Sequence, residues 1–160
     1  MKQYSKLRIP GRFEVLRSIL FRTGGVLLIA FVGIQFVPRG RDHTNPPITG
    51  SPDWDSPRTE ELARRACFDC HSHETKWPWY ASIAPLSWKI QEHVDEGRSE
   101  LNFSTFDKPQ RHAHEAAEMV EEGEMPLEEY TYLHPESRLS GSEKEALIAG
   151  LAATFGRDHD

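Results

Sequence analysis

The segment RRACFDCHSHETKWPWY, residues 64 to 80, holds the chain's two cysteines, three apart and followed directly by a histidine: Cys67-Phe68-Asp69-Cys70-His71. Each spacing has a chemical reason. Two thiols separated by two residues reach, from a single turn of chain, the two vinyl groups on one edge of a porphyrin and add across them as thioethers. The next residue then brings its imidazole to the iron from one face, through Nε2 when Nδ1 is held as a donor. Cys67 and Cys70 are therefore candidate sites of covalent haem attachment, and His71 is the candidate axial iron ligand. The cofactor so implied is one covalent haem c.

Three rivals have weaker support. A thioredoxin-like redox pair wants a strand before the motif and a helix starting at it. Here the motif closes a helical stretch, and no segment alternates convincingly as a strand. A Cys67–Cys70 disulfide would close a tiny loop and stabilise little. A zinc site would need His71 or His73 and a distant histidine as further ligands, whereas zinc ligands usually arrive as two separated pairs.

If a haem is present, its sixth coordination position needs a candidate. Met125, followed by Pro126 in EEGEMPLEEY, is the leading one: a thioether is a soft ligand suited to haem iron, carried on a loop after a glycine. His93 and His134 are the alternatives. Met119 reads as helix core, and His73, His112, His114 and His159 read as solvated. Trp77, Trp79, Tyr80 and Trp88, in KWPWY and APLSW, are expected to form a pocket wall that keeps water from the porphyrin, and their donors, like Arg98, could reach a propionate. Arg98 reads more simply as a surface ion pair.

Outward from the motif, four helical stretches are expected. The first opens at Ser56-Pro57, a cap residue followed by a proline at the first helical position. The second opens at Pro85 and ends at Gly97. The third opens at Asp107 or Pro109 and ends at Gly123. The fourth opens at SGSE, where Ser140 and Glu143 have capping-box spacing, and continues with Ala146, Leu147, Leu151 and Phe155. So few short helices bury little surface, and the aromatics need something large and flat to pack against.

Charge divides the chain. It carries a net −6 overall. Residues 1 to 38 hold six Lys or Arg against Glu14 alone, a local +5, which leaves −11 on residues 39 to 160. Nucleic acid is not an expected partner, because phosphates would be repelled. The basic end abuts TGGVLLIAFVGIQFV, residues 23 to 37, a run of 15 uncharged residues. With the residues from Ile19 it approaches the ~20 needed to cross a bilayer. The long basic lead and the lack of an A-x-A-like site argue against a cleaved signal.

The expected organisation is a cytoplasmic tail at 1–18, a transmembrane anchor at 19–38, a Pro/Gly-rich linker at 39–56 and a haem-binding domain at 57–156. Taking the cell as bacterial, the positive charge stays inside, so the protein is expected to be a single-pass inner-membrane protein with the haem domain in the periplasm. The linker is expected to hold that domain a short distance off the membrane.

The runs CFDCHSHETKWPWYASIAPLSW, HVDEGRSELNFSTF and EMPLEEYTYLHPESRLSGSE resemble the bacterial haem-binding domain family of small, membrane-anchored c-type cytochrome-like proteins, over roughly residues 57 to 155. The resemblance implies haem at Cys67 and Cys70, His71 as axial ligand and Met125 opposite. It also implies a mainly α fold like that of small class I cytochromes c, preceded by one transmembrane helix. Electron transfer is the expected function. The expected partners are unidentified redox proteins, the membrane and the cytochrome c maturation machinery. A haem-based sensor or small-ligand binder with a labile sixth ligand is the alternative. No enzyme activity is expected; a peroxidase would need a distal His and Arg over an open iron.

Overall fold

The computed structural model describes residues 11–157. The N-terminal part of the expected tail and His159 lie outside the described residues. The described chain is mainly helical. Its seven α-helices are α1 (Arg12–Ile34), α2 (Pro57–Ala66), α3 (Phe68–His71), α4 (Leu86–Glu100), α5 (Ala116–Glu122), α6 (Glu128–Leu133) and α7 (Gly141–Phe155). Short 3-10 turns join them at Trp79–Ser82, Ala113–Glu115 and Pro135–Ser137. Among the described residues no strand forms, apart from an isolated parallel bridge between Gly50 and Thr105.

Helix α1 is 23 residues long with no buried residue and a mean hydropathy of 1.8 over its most apolar window. It is long and apolar enough to cross a membrane. It begins at Arg12, within the basic lead, because helical hydrogen bonding does not stop where hydrophobicity does.

The helix caps follow the sequence. Ser56 accepts from the Thr59 N–H at 3.2 Å, with Pro57 at the first helical position. Ser140 and Glu143 form both halves of a capping box. Gly123 closes α5 at φ 84°, a left-handed conformation that favours glycine. Two boundaries differ from expectation. Helix α4 runs through Gly97 to Glu100. Gly97 is an interior residue whose missing side chain lets the helix press on the Cys70 carbonyl. Helix α5 starts only at Ala116, after a 3-10 turn at Ala113–Glu115.

Helix α7 packs on α2 and α5, and α3 packs on α4. The core is Leu62, Ala63, Phe68, Leu101, Phe103, Ala117, Val120, Leu147 and Leu151. Gly150 lets α7 approach Thr59 on α2 so closely that a Cβ there would collide with the threonine side chain. Beside this crossing the aromatics stack on one another. Phe103 lies 5.2 Å from Phe68, 5.3 Å from Trp54 and 6.2 Å from Phe155, centroid to centroid. Such pairs contribute ~0.5–1.5 kcal/mol each beyond burial.

The segment read as a spacer is a strap laid on the domain. Thr49 N–H donates to the Ser104 carbonyl at 2.9 Å, and Asn45 Nδ2 donates to the Thr75 carbonyl at 2.9 Å. Trp54 fills the aromatic stack. Among the described residues Arg98 makes no ion pair. It donates to the Ser72 carbonyl (2.9 Å), Thr75 Oγ1 (3.0 Å), Asn45 Oδ1 (2.9 Å) and the Thr44 carbonyl (3.3 Å), binding strap to motif loop. His73, expected to be solvated, joins the same seam. Its Nδ1 lies 3.0 Å from the Pro47 carbonyl and its Nε2 2.9 Å from Asn102 Nδ2.

Candidate functional site

The chain breaks from α2 at Cys67 (φ −124°) and makes one further turn, α3, that presents Cys67, Cys70 and His71 together. The Cys70 and His71 N–H groups both donate to the Cys67 carbonyl, at 3.2 and 2.9 Å. Both cysteines are free and half-buried. Burial pushes the Cys67 thiol up to about 12, helped by Cys70, and the Cys70 thiol up to about 11, helped by Asp69. A redox dithiol needs a lowered thiol pKa, and this environment does the opposite.

His71 is held from two sides by the loop after α4. Its carbonyl accepts from the Phe103 N–H at 2.8 Å, and its Nδ1 lies 3.0 Å from the Leu101 carbonyl. A carbonyl only accepts, so Nδ1 carries the hydrogen and the lone pair is left on Nε2. Burial lowers the pKa of the ring, against the raising effect of its backbone hydrogen bonds to Leu101 and Gly97, and so disfavours the charged form. This is the tautomer of a metal-binding histidine.

A cavity of about 340 Å³ opens beside His71, lined by Cys67, Met119, Val120, Met125 and Leu151 among others. A smaller void of about 40 Å³ adjoins it where Cys67, Cys70, His71, Met125, Pro126 and Tyr130 meet. The thiols, the imidazole and the thioether, spread over 59 residues of sequence, thus surround one space. The residues fit a haem: two adjacent thiols, one pre-oriented imidazole and apolar walls. Among the described residues no three His, Cys, Asp or Glu side chains cluster as a bare metal ion would need.

A family model described as a haem-binding domain matches residues 29–153. The chain belongs to the haem-binding domain family. No curated protein and no solved structure matches it. The match starts inside α1 and includes the strap, in keeping with the packing of residues 43 to 54 on the haem-binding domain.

Within the haem-binding domain the other expected site residues are dispersed. Met125 faces the void with His71, and its N–H donates to the Met119 carbonyl at 3.0 Å. Met119, expected in the core, lines the larger cavity beside it. His93 and His134 line a different cavity, of about 210 Å³, that reaches Cys70 but not His71. Tyr80 lines that cavity too, with its Oη 2.9 Å from His134 Nε2. Trp77 stacks on His43 of the strap at 4.4 Å. Trp88 borders a surface recess beside Gly40. The indole N–H groups of Trp77 and Trp88 are buried with no hydrogen-bond partner among the described residues. Trp79 is 78% exposed.

Several contributors escaped the sequence reading. The Leu101 carbonyl is a backbone group with no residue signature. Tyr130, whose Oη donates to Asp69 Oδ2 at 2.8 Å, lies 61 residues from its partner. His112, expected to be solvated, sits half-exposed at the rim of the larger cavity with Glu115.

Proposed function

We propose that this protein is a membrane-anchored monohaem c-type cytochrome, with haem linked covalently to Cys67 and Cys70 and held by His71 and Met125, and that it transfers electrons on the periplasmic side of the membrane. The observation that carries this reading is the imidazole of His71, its Nδ1 3.0 Å from the Leu101 carbonyl, lining one void with both cysteines and Met125. When bound, the haem supplies one-electron exchange between ferric and ferrous iron.

The chain's own residues do the rest. Leu101 fixes the tautomer, and the loop from Leu101 to Phe103 holds the ring orientation. Val120, Leu151 and Phe103 exclude water from the cavity, which favours the less charged ferrous form. Helix α1 supports anchoring, and its basic lead supports a cytoplasmic N-terminus. The test is the mass and the reduced-minus-oxidised spectrum of the matured chain. A haem mass that survives denaturation and a low-spin spectrum are expected. A mass equal to the bare polypeptide overturns the reading.

A second reading, a sensor or small-ligand binder, draws on the roomy cavity of about 340 Å³ beside His71. Rapid carbon monoxide binding to the reduced protein would favour it.

A further inference from the structure

We infer that the apolar cavity beside Cys70 is a binding site for a lipid-dissolved hydroquinone, and that Tyr80, His134 and Glu136 carry off the protons released when it is oxidised. This rests on the electron-transfer reading and names the class of reductant.

The cavity is separate from the ligand positions. Cys70 lies in its wall, whereas His71 and Met125 do not. A guest would lie against Cys70 without touching His71 or Met125. At about 210 Å³ it is smaller than the ~300 Å³ at which drug-sized pockets begin, and suits one substituted ring and the start of a tail. Its walls are mostly apolar, with Leu86, Ile90, Val94 and Leu133.

The cavity rim lies by the end of the membrane-length helix. Gln35, the residue that caps α1, pairs its side-chain amide with the backbone of Ala84. Its Nε2 donates to the Ala84 carbonyl and its Oε1 accepts from the Ala84 N–H, each at 3.0 Å. Gly40 then packs on the backbone of Ser87 and Trp88 with no room for a Cβ. These contacts hold the start of α4 against the helix end. Leu86, two residues beyond Ala84, is a wall residue and 48% exposed; Leu133, also a wall residue, is 54% exposed. Trp79, in the turn just before Ala84, is the exposed interfacial type of residue. A guest dissolved in the bilayer therefore meets an apolar entrance at the membrane surface.

The polar groups choose among such guests. Tyr80 and His134 both line the cavity, with Tyr80 Oη 2.9 Å from His134 Nε2. His134 Nδ1 lies 3.1 Å from Glu136 Oε1. With the Glu136 carboxylate accepting, Nδ1 carries the hydrogen and Nε2 accepts from Tyr80. The His134 side chain is 18% exposed and that of Glu136 65%, so this chain of hydrogen bonds runs from cavity wall to water. An acyl tail gains nothing from it, whereas a ring hydroxyl gains a partner and a proton exit. The balance would close: each hydroquinone oxidised to quinone would give up two electrons, taken one at a time by ferric haem held at Cys67, Cys70 and His71 in two successive turnovers, and two protons, for which His134 and Glu136 provide the exit.

The test uses the haem-loaded full chain in lipid nanodiscs. Decylubiquinone, which does not reduce ferric haem, is titrated by calorimetry. Saturable binding is expected, weakened more than about tenfold by Leu133→Trp and by the more exposed Leu86→Trp, with the haem spectrum unchanged. Tyr80→Phe should slow haem reduction by decylubiquinol at least about tenfold while decylubiquinone binding stays within about twofold. A haem-loaded protein that binds no quinone, or binds it as well with both tryptophans in place, overturns the proposal while leaving the cytochrome reading intact. So does a failure of both tryptophan variants to load haem, since the cavity would then belong to the cofactor. A matured chain without covalent haem sinks the cytochrome reading and this proposal together.

Discussion

The two sides of the domain are built by different rules. On the side of α2, α5 and α7 the chain fills its own volume: Leu62 and Leu147 are 0% exposed, Leu151 is 2%, and the aromatics stack in a continuous cluster. On the faces that meet α3 and α4 the chain leaves cavities, one of about 340 Å³ walled opposite by α5 and Leu151 of α7, and one of about 210 Å³ walled opposite by α6. Close packing is the norm in protein interiors, so voids on that scale beside two thiols are a mould rather than a flaw. The filled side makes the fold, and the hollow side defines what the fold carries.

The largest expected effect tests the hollow side. Replacing Cys67 and Cys70 together by serine should remove all pigment that survives a denaturing gel, seen by haem staining. Hydrogen exchange of the matured double variant should then show faster exchange in α6 and the Met125 loop than in α7. Equal exchange across both sides would mean that the two are equally well packed without the cofactor. On the filled side, Leu147→Ala should cost ~2–5 kcal/mol in urea denaturation, because it leaves a cavity where none exists. Gly150→Ala should cost ~1–3 kcal/mol, because its methyl group meets Thr59. If either is neutral, the crossing of α2 and α7 is looser than described.

Met125→Ala should barely change stability yet convert a low-spin spectrum to high-spin or to water ligation. An unchanged spectrum would remove Met125 from the ligand role. The smallest effect lies at the α7 cap, where Ser140→Ala should cost ~1 kcal/mol. Its partner Glu143 is held down at about 2 by the Ser140 N–H, with Arg65 and the Ser140 hydroxyl assisting. A folded value below the ordinary 4.5 gives stability that is present above pH 4.5 and lost as pH falls towards 2. Glu143→Gln should therefore flatten the acid limb of a stability-against-pH curve in that window.

What was legible in the sequence was local chemistry. Ser56-Pro57 and Ser140-Glu143 cap their helices as their side chains dictate, and the CxxCH spacing gathers two thiols and an imidazole in one turn. That Met125 shares a void with His71 was anticipated only because a thioether was the expected partner of an imidazole. What stayed hidden depends on contacts across the chain. Gly97 looks like a helix end until Cys70 is found against it. Arg98 looks like a surface charge until four oxygens from two distant loops surround it. The tryptophans look like a haem wall because aromaticity reports a need for packing but not the partner. Trp77 meets that need on His43 of the strap instead.

The strap also determines where the chain tolerates cutting. A soluble fragment beginning at Pro57 would keep every residue of the haem motif, yet it would strip Trp54 from Phe103 and leave Arg98 facing two empty positions. Severing instead between Ile34 and Arg41 frees the domain from its apolar helix with those contacts whole, giving a water-soluble form whose boundary lies well upstream of its first globular helix.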